Sequence, residues 1–166
     1  MSEKSTIAAL LASKGKRKLT QVYVHNAQEA AACEAAGIDM IVTWERSDVK
    51  AIAAAAPNTF LTAGLVYGVY VNGDEAKRAS YGLMKAGADA IYCPLSMGVV
   101  EEMTREGIPV QGHIGYIPFR KSWLGGGAGG WEVGWRGDPA LRSSDGVSGS
   151  RRRCHRGRGS PGEGGS

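Results

Sequence analysis

The sequence repeats one short junction three times, and this repeat constrains the fold more than any other feature. The segments EAAGID (34–39), KAGAD (85–89) and REGIP (105–109) each place a glycine between a segment with helical spacing and the start of an apolar run. A glycine in this position is typical of a helix that ends in the left-handed conformation. The repeat therefore predicts helices that lead directly into strands.

Apolar runs alternate with helical segments along most of the chain. Strands are predicted at residues 19–24, 38–42, 59–65, 90–93 and 108–111, and helix caps at Ser5, Asn26, Ser47 or Asp48, and within residues 72–74. Strands that are apolar on both faces and joined by helices indicate a parallel sheet covered by helices. Because no Gly-x-Gly-x-x-Gly follows the first strand, a dinucleotide-binding fold is disfavoured. We therefore predict an α/β fold, a partial (β/α)8 TIM barrel with about five of its eight strands.

The composition changes abruptly after Gly125. Residues 126–166 hold seven arginines and 13 glycines but no Ile, Phe, Met or Tyr, so this segment has little to bury. A chain that cannot bury apolar surface does not offset its ordering entropy. We predict a barrel portion at residues 1–125 and a disordered tail at 126–166.

Composition also limits the cellular setting and the partners. Cys33, Cys93 and Cys154 are too widely spaced for a disulfide framework or a metal clip, which favours reduced thiols in the cytoplasm. No signal peptide or membrane-spanning run is recognised. The arginine-rich tail predicts some nonspecific affinity for nucleic acid, but it lacks the interleaved aromatic residues of a stacking platform. A dedicated nucleic-acid role is therefore not favoured.

The carboxyl ends of the strands hold the candidate site residues, because barrel enzymes build their active sites there. Glu45 is a candidate metal ligand or base, but a single carboxylate does not hold a hard cation, and a solvated loop glutamate is the alternative. His113, between two glycines, is a candidate pocket residue or a structural hydrogen-bonding group. The pocket candidates are Trp44, Glu45, Gly64, Tyr92 and His113.

Two further residues at these ends carry alternatives. Cys93 with His113 has the residue types of a thiol nucleophile and its base, although a buried cysteine at a strand end is more often a small hydrophobe. His25 is either a pocket residue or a loop histidine. Tyrosines near the strand ends predict an aromatic mouth, with packing as the alternative: Tyr23, Tyr67, Tyr70 and Tyr92.

A series of motifs resembles one enzyme family over residues 5–126. The motifs are KRKLT (16–20), DMIV (39–42), APN (56–58), LMKAGAD (83–89) and PVQGHIGYIP (109–118), followed by a Gly-Gly pair. In this order they resemble ketopantoate hydroxymethyltransferase. The resemblance implies a (β/α)8 barrel, a homo-oligomer and Mg²⁺. It also implies hydroxymethyl transfer from 5,10-methylenetetrahydrofolate to the 2-oxoacid 3-methyl-2-oxobutanoate in pantothenate biosynthesis.

The catalytic set that the resemblance implies is replaced in this chain. Trp44 and Gly64 stand at the two aspartates that the family uses to hold its metal, Tyr92 at its substrate-contacting lysine and Pro94 at a nearby glutamate. Without these carboxylates we expect neither Mg²⁺ binding by the family's means nor normal activity in its reaction. The expectation is a diverged paralogue with an aromatic pocket for a small 2-oxoacid-like ligand. The alternative is a nonenzymatic binding or regulatory paralogue.

The tail suggests one further hypothesis, a frameshift near residues 125–131. The codons of residues 150–166, read from their second base, permit AGAVAIEVEVVPGRVA, which has the pattern of a helix end followed by a strand with Glu-Val-Val-Pro. The family resemblance implies a general-base glutamate in this context. The chain is then a truncated version of the family barrel. A stop codon in the shifted frame of the coding DNA would contradict the hypothesis.

Overall fold

A computed structural model describes residues 4–113, 117 and 119, in which strands and helices alternate without exception. The elements are α1 (Ile7–Ala12), β1 (Gln21–Tyr23), α2 (Ala27–Ala35), β2 (Met40–Trp44), α3 (Val49–Ala55), β3 (Phe60–Gly64), α4 (Gly73–Lys85), β4 (Ala90–Cys93), α5 (Met97–Arg105) and β5 (Val110–Gly112). The predicted alternation is confirmed, and the predicted tail at 126–166 lies outside the described residues.

All five strands are parallel and lie in one sheet in the order β1-β2-β3-β4-β5. Each helical connection therefore advances by one strand in the same direction. A doubly wound sheet reverses its strand order at a switch point, whereas a (β/α)8 barrel does not. The topology confirms the α/β prediction and is that of a partial barrel.

The sheet is strongly curved, as a contact between its two outermost strands demonstrates. The side-chain amides of Gln21 on β1 and Gln111 on β5 lie 3.3 Å apart. In a flat sheet these strands would be separated by about 19 Å, at roughly 4.8 Å per strand. Two glutamine side chains do not reach across that distance, so β1 and β5 face each other across a concave interior, as the first and fifth strands of an eight-stranded ring do.

The hydrophobic core lies between the convex face of the sheet and the helices. Ile41, Leu61 and Ile91, one from each of the three central strands, are fully buried against α3 and α5 through Ile52 and Met103. Complete burial of a side chain of this size contributes roughly 1.5–3 kcal/mol. The residues that alternate with them along each strand face the concave interior.

The helix ends follow the predicted signals with one correction. The repeated junction is confirmed, because Gly37, Gly87 and Gly107 all have positive φ, at 72°, 111° and 77°. Asn26 caps α2 as predicted, its side chain accepting from the Glu29 amide at 2.9 Å. The prediction of Ser5 as the cap of α1 is wrong: Thr6 takes this position.

Strand boundaries shift because pairing with a neighbour, rather than apolar composition, defines them. β1 is shorter than predicted, β2 extends two residues further, and β5 begins and ends later. The extension of β2 matters for the site, because Trp44 pairs directly with Gly64 of β3.

Carboxylates at the amino-terminal ends of the strands accept hydrogen bonds from neighbouring segments. Just before β2, Asp39 accepts hydrogen bonds from the Thr20 amide at 2.8 Å and hydroxyl at 2.9 Å, and pairs with Arg17. These contacts, led by the bond from the Thr20 amide, hold the pKa of Asp39 below its usual range. Asp39 thus joins the segment before β1 to the start of β2.

Two more carboxylates, Glu34 and Asp89, accept hydrogen bonds from the segments around β3. Glu34, at the end of α2, accepts from the Asn58 amide at 2.9 Å, from its side chain at 3.0 Å and from the Thr59 hydroxyl at 3.2 Å. Burial raises the pKa of Glu34, but these hydrogen bonds together outweigh it and leave the pKa lowered. Asp89, before β4, accepts from the Leu61 amide at 2.7 Å.

No helix in the described part of the chain combines the length and apolar character needed to cross a membrane.

Candidate ligand site at the carboxyl ends of the strands

Five rings form a continuous row across the carboxyl ends of the strands. The ring centroids are separated by 4.6 Å between His25 and Tyr23, 6.4 Å between Tyr23 and Trp44, 6.0 Å between Trp44 and Tyr92, and 5.6 Å between Tyr92 and His113. We call these five residues the aromatic row. The rings are tilted or perpendicular to one another, so they form walls rather than a single flat stack.

Trp44 occupies its place because residue 64 has no side chain. A Cβ atom added to Gly64 would lie 2.7 Å from Cε3 of the indole, closer than real Cβ contacts come. The indole is 37% exposed, although it lies on a strand in the middle of the described sheet. The contact between Trp44 and Gly64 thus fills the space that a side chain at residue 64 would need.

Tyr92 and His113 form a polar pair at one end of the row. The Tyr92 hydroxyl is hydrogen-bonded to Nδ1 of His113. Burial raises the pKa of Tyr92, and its hydroxyl is protonated at neutral pH, as that of any ordinary tyrosine is. The pair therefore places a neutral phenol and an oriented imidazole beside the indole of Trp44.

Glu45 lies at the same end of the sheet but serves the neighbouring loop. Its carboxylate accepts from the Val66 amide at 3.1 Å and from the Tyr70 hydroxyl. Its own amide donates to the Gly64 carbonyl at 3.0 Å. Burial, followed by the bond to Glu45, raises the pKa of Tyr70 well above its usual range. Glu45 is thus a half-buried group in the turn after β2, and its hydrogen bonds link this turn to the loop after β3.

The structure separates Cys93 from His113. Cys93 is fully buried in the core among the helices, and burial raises the pKa of its thiol. Tyr92, its neighbour on β4, faces the concave side with His113, so the thiol and the imidazole lie on opposite faces of the sheet. The interpretation of Cys93 as a small hydrophobe is confirmed.

His25 is attached to the start of α2. Its amide donates to Glu29 at 2.7 Å, and Nδ1 lies 3.2 Å from the same carboxylate oxygen. These contacts, led by the backbone bond, lower the pKa of Glu29. The imidazole is exposed and meets the edge of Tyr23, so His25 terminates the row on the β1 side.

Thr62 lies on β3, faces the concave interior and was not among the residues predicted for the site. It precedes Gly64 by two positions on β3 and therefore faces the same side. Its hydroxyl is fully buried and has no hydrogen-bond partner among the described residues. The signal available in the sequence was a hydroxyl at alternate spacing from Gly64 within an otherwise apolar strand.

The residues at this site do not fit a Mg²⁺ ion. The described residues contain no cluster of three His, Cys, Asp or Glu side chains that could hold a metal. At the two positions where the family resemblance implies aspartates, an indole covers a glycine, and Glu45 is engaged with Val66 and Tyr70. Hard cations of this kind need several oxygen ligands.

Comparison with known proteins identifies the family. The family model for ketopantoate hydroxymethyltransferase matches residues 45–129, about half of the chain. The chain belongs to the ketopantoate hydroxymethyltransferase family. The matched segment includes β3, β4, β5 and the connections between them.

Three relatives illustrate the similarity, and each is named 3-methyl-2-oxobutanoate hydroxymethyltransferase. The proteins of Pyrobaculum calidifontis and Caldivirga maquilingensis are 32% and 34% identical, over 74% of this chain and 56% of their own length. The Thermus thermophilus protein is 35% identical over 69% of this chain and 52% of its own length. The chain thus spans about half the length of these relatives.

Proposed function

We propose that this member of the ketopantoate hydroxymethyltransferase family binds a small molecule at the aromatic row without Mg²⁺. In this proposal it does not catalyse Mg²⁺-dependent hydroxymethyl transfer to 3-methyl-2-oxobutanoate. The candidate pocket residues are Trp44, Gly64, Tyr92 and His113, with Glu45 supporting the loop beside them. The chain is then a binding or regulatory relative of the enzyme.

The observation that carries the proposal is the position of Trp44 over Gly64. An indole at this place both replaces one expected carboxylate and excludes a side chain at the other position, since a Cβ there would lie 2.7 Å from the ring. A barrel mouth remains a natural binding site when its metal ligands are lost, because the carboxyl ends of the strands stay open and variable. An aromatic wall with a few polar groups is typical of small-molecule pockets.

The first test is turnover by the full 166-residue chain. The substrates are 3-methyl-2-oxobutanoate and 5,10-methylenetetrahydrofolate. With or without Mg²⁺, the rate at which the hydroxymethylated 2-oxoacid forms should equal the rate without protein. A Mg²⁺-dependent rate typical of the family enzymes would overturn the proposal. A family enzyme assayed in parallel provides the positive control.

The second test is binding, measured by ligand-observed NMR with mixtures of small anions, neutral molecules and cations. At least one compound should bind, and its signal change should be lost in Trp44→Ala. Tyr81→Ala, which removes an exposed ring from the remote helix α4, is the matched control and should leave binding unchanged. The absence of any binder that depends on Trp44 would contradict the proposal.

A further inference from the structure

We propose that residues 4–17, which comprise α1 and its two flanking segments, form a strap across the amino-terminal ends of the strands. The strap opens as one unit, in response to ionic strength, while the sheet stays folded. Three features support this: α1 lacks apolar packing, ion pairs hold both ends of the strap, and the carboxylates of these pairs keep other partners when the strap opens. The inference is independent of ligand binding at the aromatic row.

The helix of the strap is not packed into the core. In the described part of the chain, none of the side chains of α1 is buried or packed against the hydrophobic core. Leu11 is 68% exposed, and Ile7, one turn earlier on the same face, is 40% exposed. A helix of six residues is also shorter than the roughly 12–15 residues that an isolated helix needs to be even marginally stable. Apolar burial therefore does not hold the strap in place.

Two ion pairs hold the ends of the strap. Before α1, Nζ of Lys4 lies 2.7 Å from Oδ2 of Asp89. After α1, the guanidinium of Arg17 lies 2.9 Å from Oδ1 of Asp39. Within the described residues, these pairs are the polar links between the strap and the rest of the protein. All four side chains are partly exposed, so each pair contributes little to stability and is weakened by salt.

The length of α1 matches the distance between the two anchoring carboxylates. Asp39 directly precedes β2 and Asp89 directly precedes β4, so the strap runs across the start of β3. Two strand spacings amount to about 9.6 Å. Six helical residues rise by about 9 Å. A straight helix of this length therefore reaches from one anchor to the other without straining the segments that flank it.

Both carboxylates keep a backbone partner when the strap opens. Oδ2 of Asp89 also accepts from the Leu61 amide at 2.7 Å, and Asp39 accepts from the Thr20 amide at 2.8 Å. Leu61 lies in the central strand and Thr20 lies beyond the strap, so neither bond depends on α1. Breaking an ion pair is costly mainly when it leaves a buried charge without a partner. Opening of the strap therefore costs far less free energy than unfolding of the sheet.

The basic residues near the end of the strap do not change the expected effect of salt. Lys14, Lys16 and Lys18 are exposed, and none of them pairs with a carboxylate in the described part of the chain. They are neighbours of Arg17 in sequence, so they repel it in the closed and in the open strap alike. The two ion pairs exist only in the closed strap. Added salt therefore shifts the equilibrium toward opening.

Residue-resolved amide hydrogen exchange of the full chain, measured by NMR, tests the proposal. The amides of Leu10, Ser13 and Arg17 each donate to a carbonyl within the strap. After correction for intrinsic rates, they should exchange at one common rate, about a hundredfold or more faster than the amides in the middle of α4. Raising NaCl from about 0.02 M to about 0.5 M should speed exchange in the strap severalfold and leave α4 unchanged.

Variants that remove one ion pair at a time test whether the strap opens as a unit. Lys4→Gln and Arg17→Gln each leave the carboxylate with its backbone partner, so circular dichroism and the urea midpoint should match the wild type. Each variant should speed exchange about threefold along the whole strap, including the end far from the substitution. Arg105→Gln, which removes an exposed ion pair with Glu101 on α5, is the matched control and should leave exchange in the strap unchanged.

The outcomes distinguish a strap from a helix that frays at one end. Fraying would give rates that decrease along α1, and Lys4→Gln would then speed exchange in the first turn but not at the Arg17 amide. That result would overturn the proposal. Exchange in the strap at the rate of α4, or exchange that does not respond to salt, would overturn it as well. A common rate that rises with salt and with either variant would support it.

Discussion

At the amino-terminal ends of the strands, the carboxylates of Glu34, Asp39 and Asp89 each accept hydrogen bonds from the backbone of a neighbouring segment. The carboxyl ends instead carry the aromatic row and one carboxylate, Glu45, which is bonded to the loop after β3. In barrels the first end generally serves stability and the second serves function. The difference teaches that the carboxylates which accept backbone hydrogen bonds between strands lie mainly at the amino-terminal ends, whereas rings line the carboxyl ends.

The largest effect is expected from Glu34 at the amino-terminal end. Glu34→Ala removes the acceptor of three hydrogen bonds and should lower the free energy of unfolding by about 2–3 kcal/mol. Each hydrogen bond to a charged group contributes a substantial part of this free energy. Urea denaturation followed by circular dichroism measures the change. Small-molecule binding that depends on Trp44, corrected for the folded fraction, should stay the same.

Glu101→Ala is the matched control for this variant. Glu101 is an exposed helix residue paired with Arg105 at 3.7 Å, so its loss should change stability by less than about 0.5 kcal/mol. Equal effects of Glu34→Ala and Glu101→Ala would contradict the structural importance of the amino-terminal carboxylates. A loss of ligand binding in folded Glu34→Ala would contradict the separation of the two ends.

Local sequence signals predicted much of the fold. The glycines of the repeated junction all adopt positive φ, as predicted for helix ends. The apolar runs that follow them form the strands of a sheet covered by helices. The absence of a phosphate-binding glycine motif correctly favoured a barrel, because the strand order advances in one direction. Trp44, Gly64, Tyr92 and His113 meet because the carboxyl ends of parallel strands lie at one edge.

Contacts between residues distant in sequence were not predictable in the same way. The bond between Glu45 and Tyr70 depends on the path of the loop after β3, which no local pattern encodes. The packing of Trp44 on Gly64 depends on the strand register, and a shift of one residue would turn the ring to the other face.

The second prediction concerns the contact between Trp44 and Gly64. Gly64→Ala should lower the free energy of unfolding by about 1–2 kcal/mol, because the new Cβ overpacks against the indole. In a Trp44→Ala background the same change should cost almost nothing. Urea denaturation of the two single variants and the double variant gives the coupling energy.

The sign and size of this coupling energy show how strongly residues 44 and 64, at the carboxyl ends of the strands, constrain each other. Strong coupling would mean that residues 44 and 64 can change only together, because the indole occupies the space that a side chain at residue 64 would need. Ala63→Gly, at the adjacent position on the convex face, should give no comparable dependence on Trp44. Additive effects of Gly64→Ala and Trp44→Ala would contradict the steric interpretation.

The smallest expected effect comes from Glu45, the carboxylate of the mouth. Glu45→Gln weakens the bonds from Tyr70 and Val66 and should lower the free energy of unfolding by about 1 kcal/mol, less than the loss of Glu34. It should also lower the pKa of Tyr70 toward that of an ordinary tyrosine, because the negative charge beside the hydroxyl is removed. Spectrophotometric titration of the wild type and of Glu45→Gln measures this pKa, with Tyr70→Phe as the reference that lacks the hydroxyl.

The pH dependence of stability follows from the same pair. Because folding raises the pKa of Tyr70, its contribution to stability is complete below pH 10, the ordinary tyrosine value, and is lost as the pH rises from there toward the folded pKa. The urea midpoint of the wild-type protein should therefore fall above pH 10 more steeply than that of Tyr70→Phe, while Tyr81→Phe should follow the wild type. Identical slopes for the wild type and Tyr70→Phe would mean that the bond to Glu45 contributes no measurable stability, and that the carboxylate at the mouth, unlike those at the other end, is not a structural group.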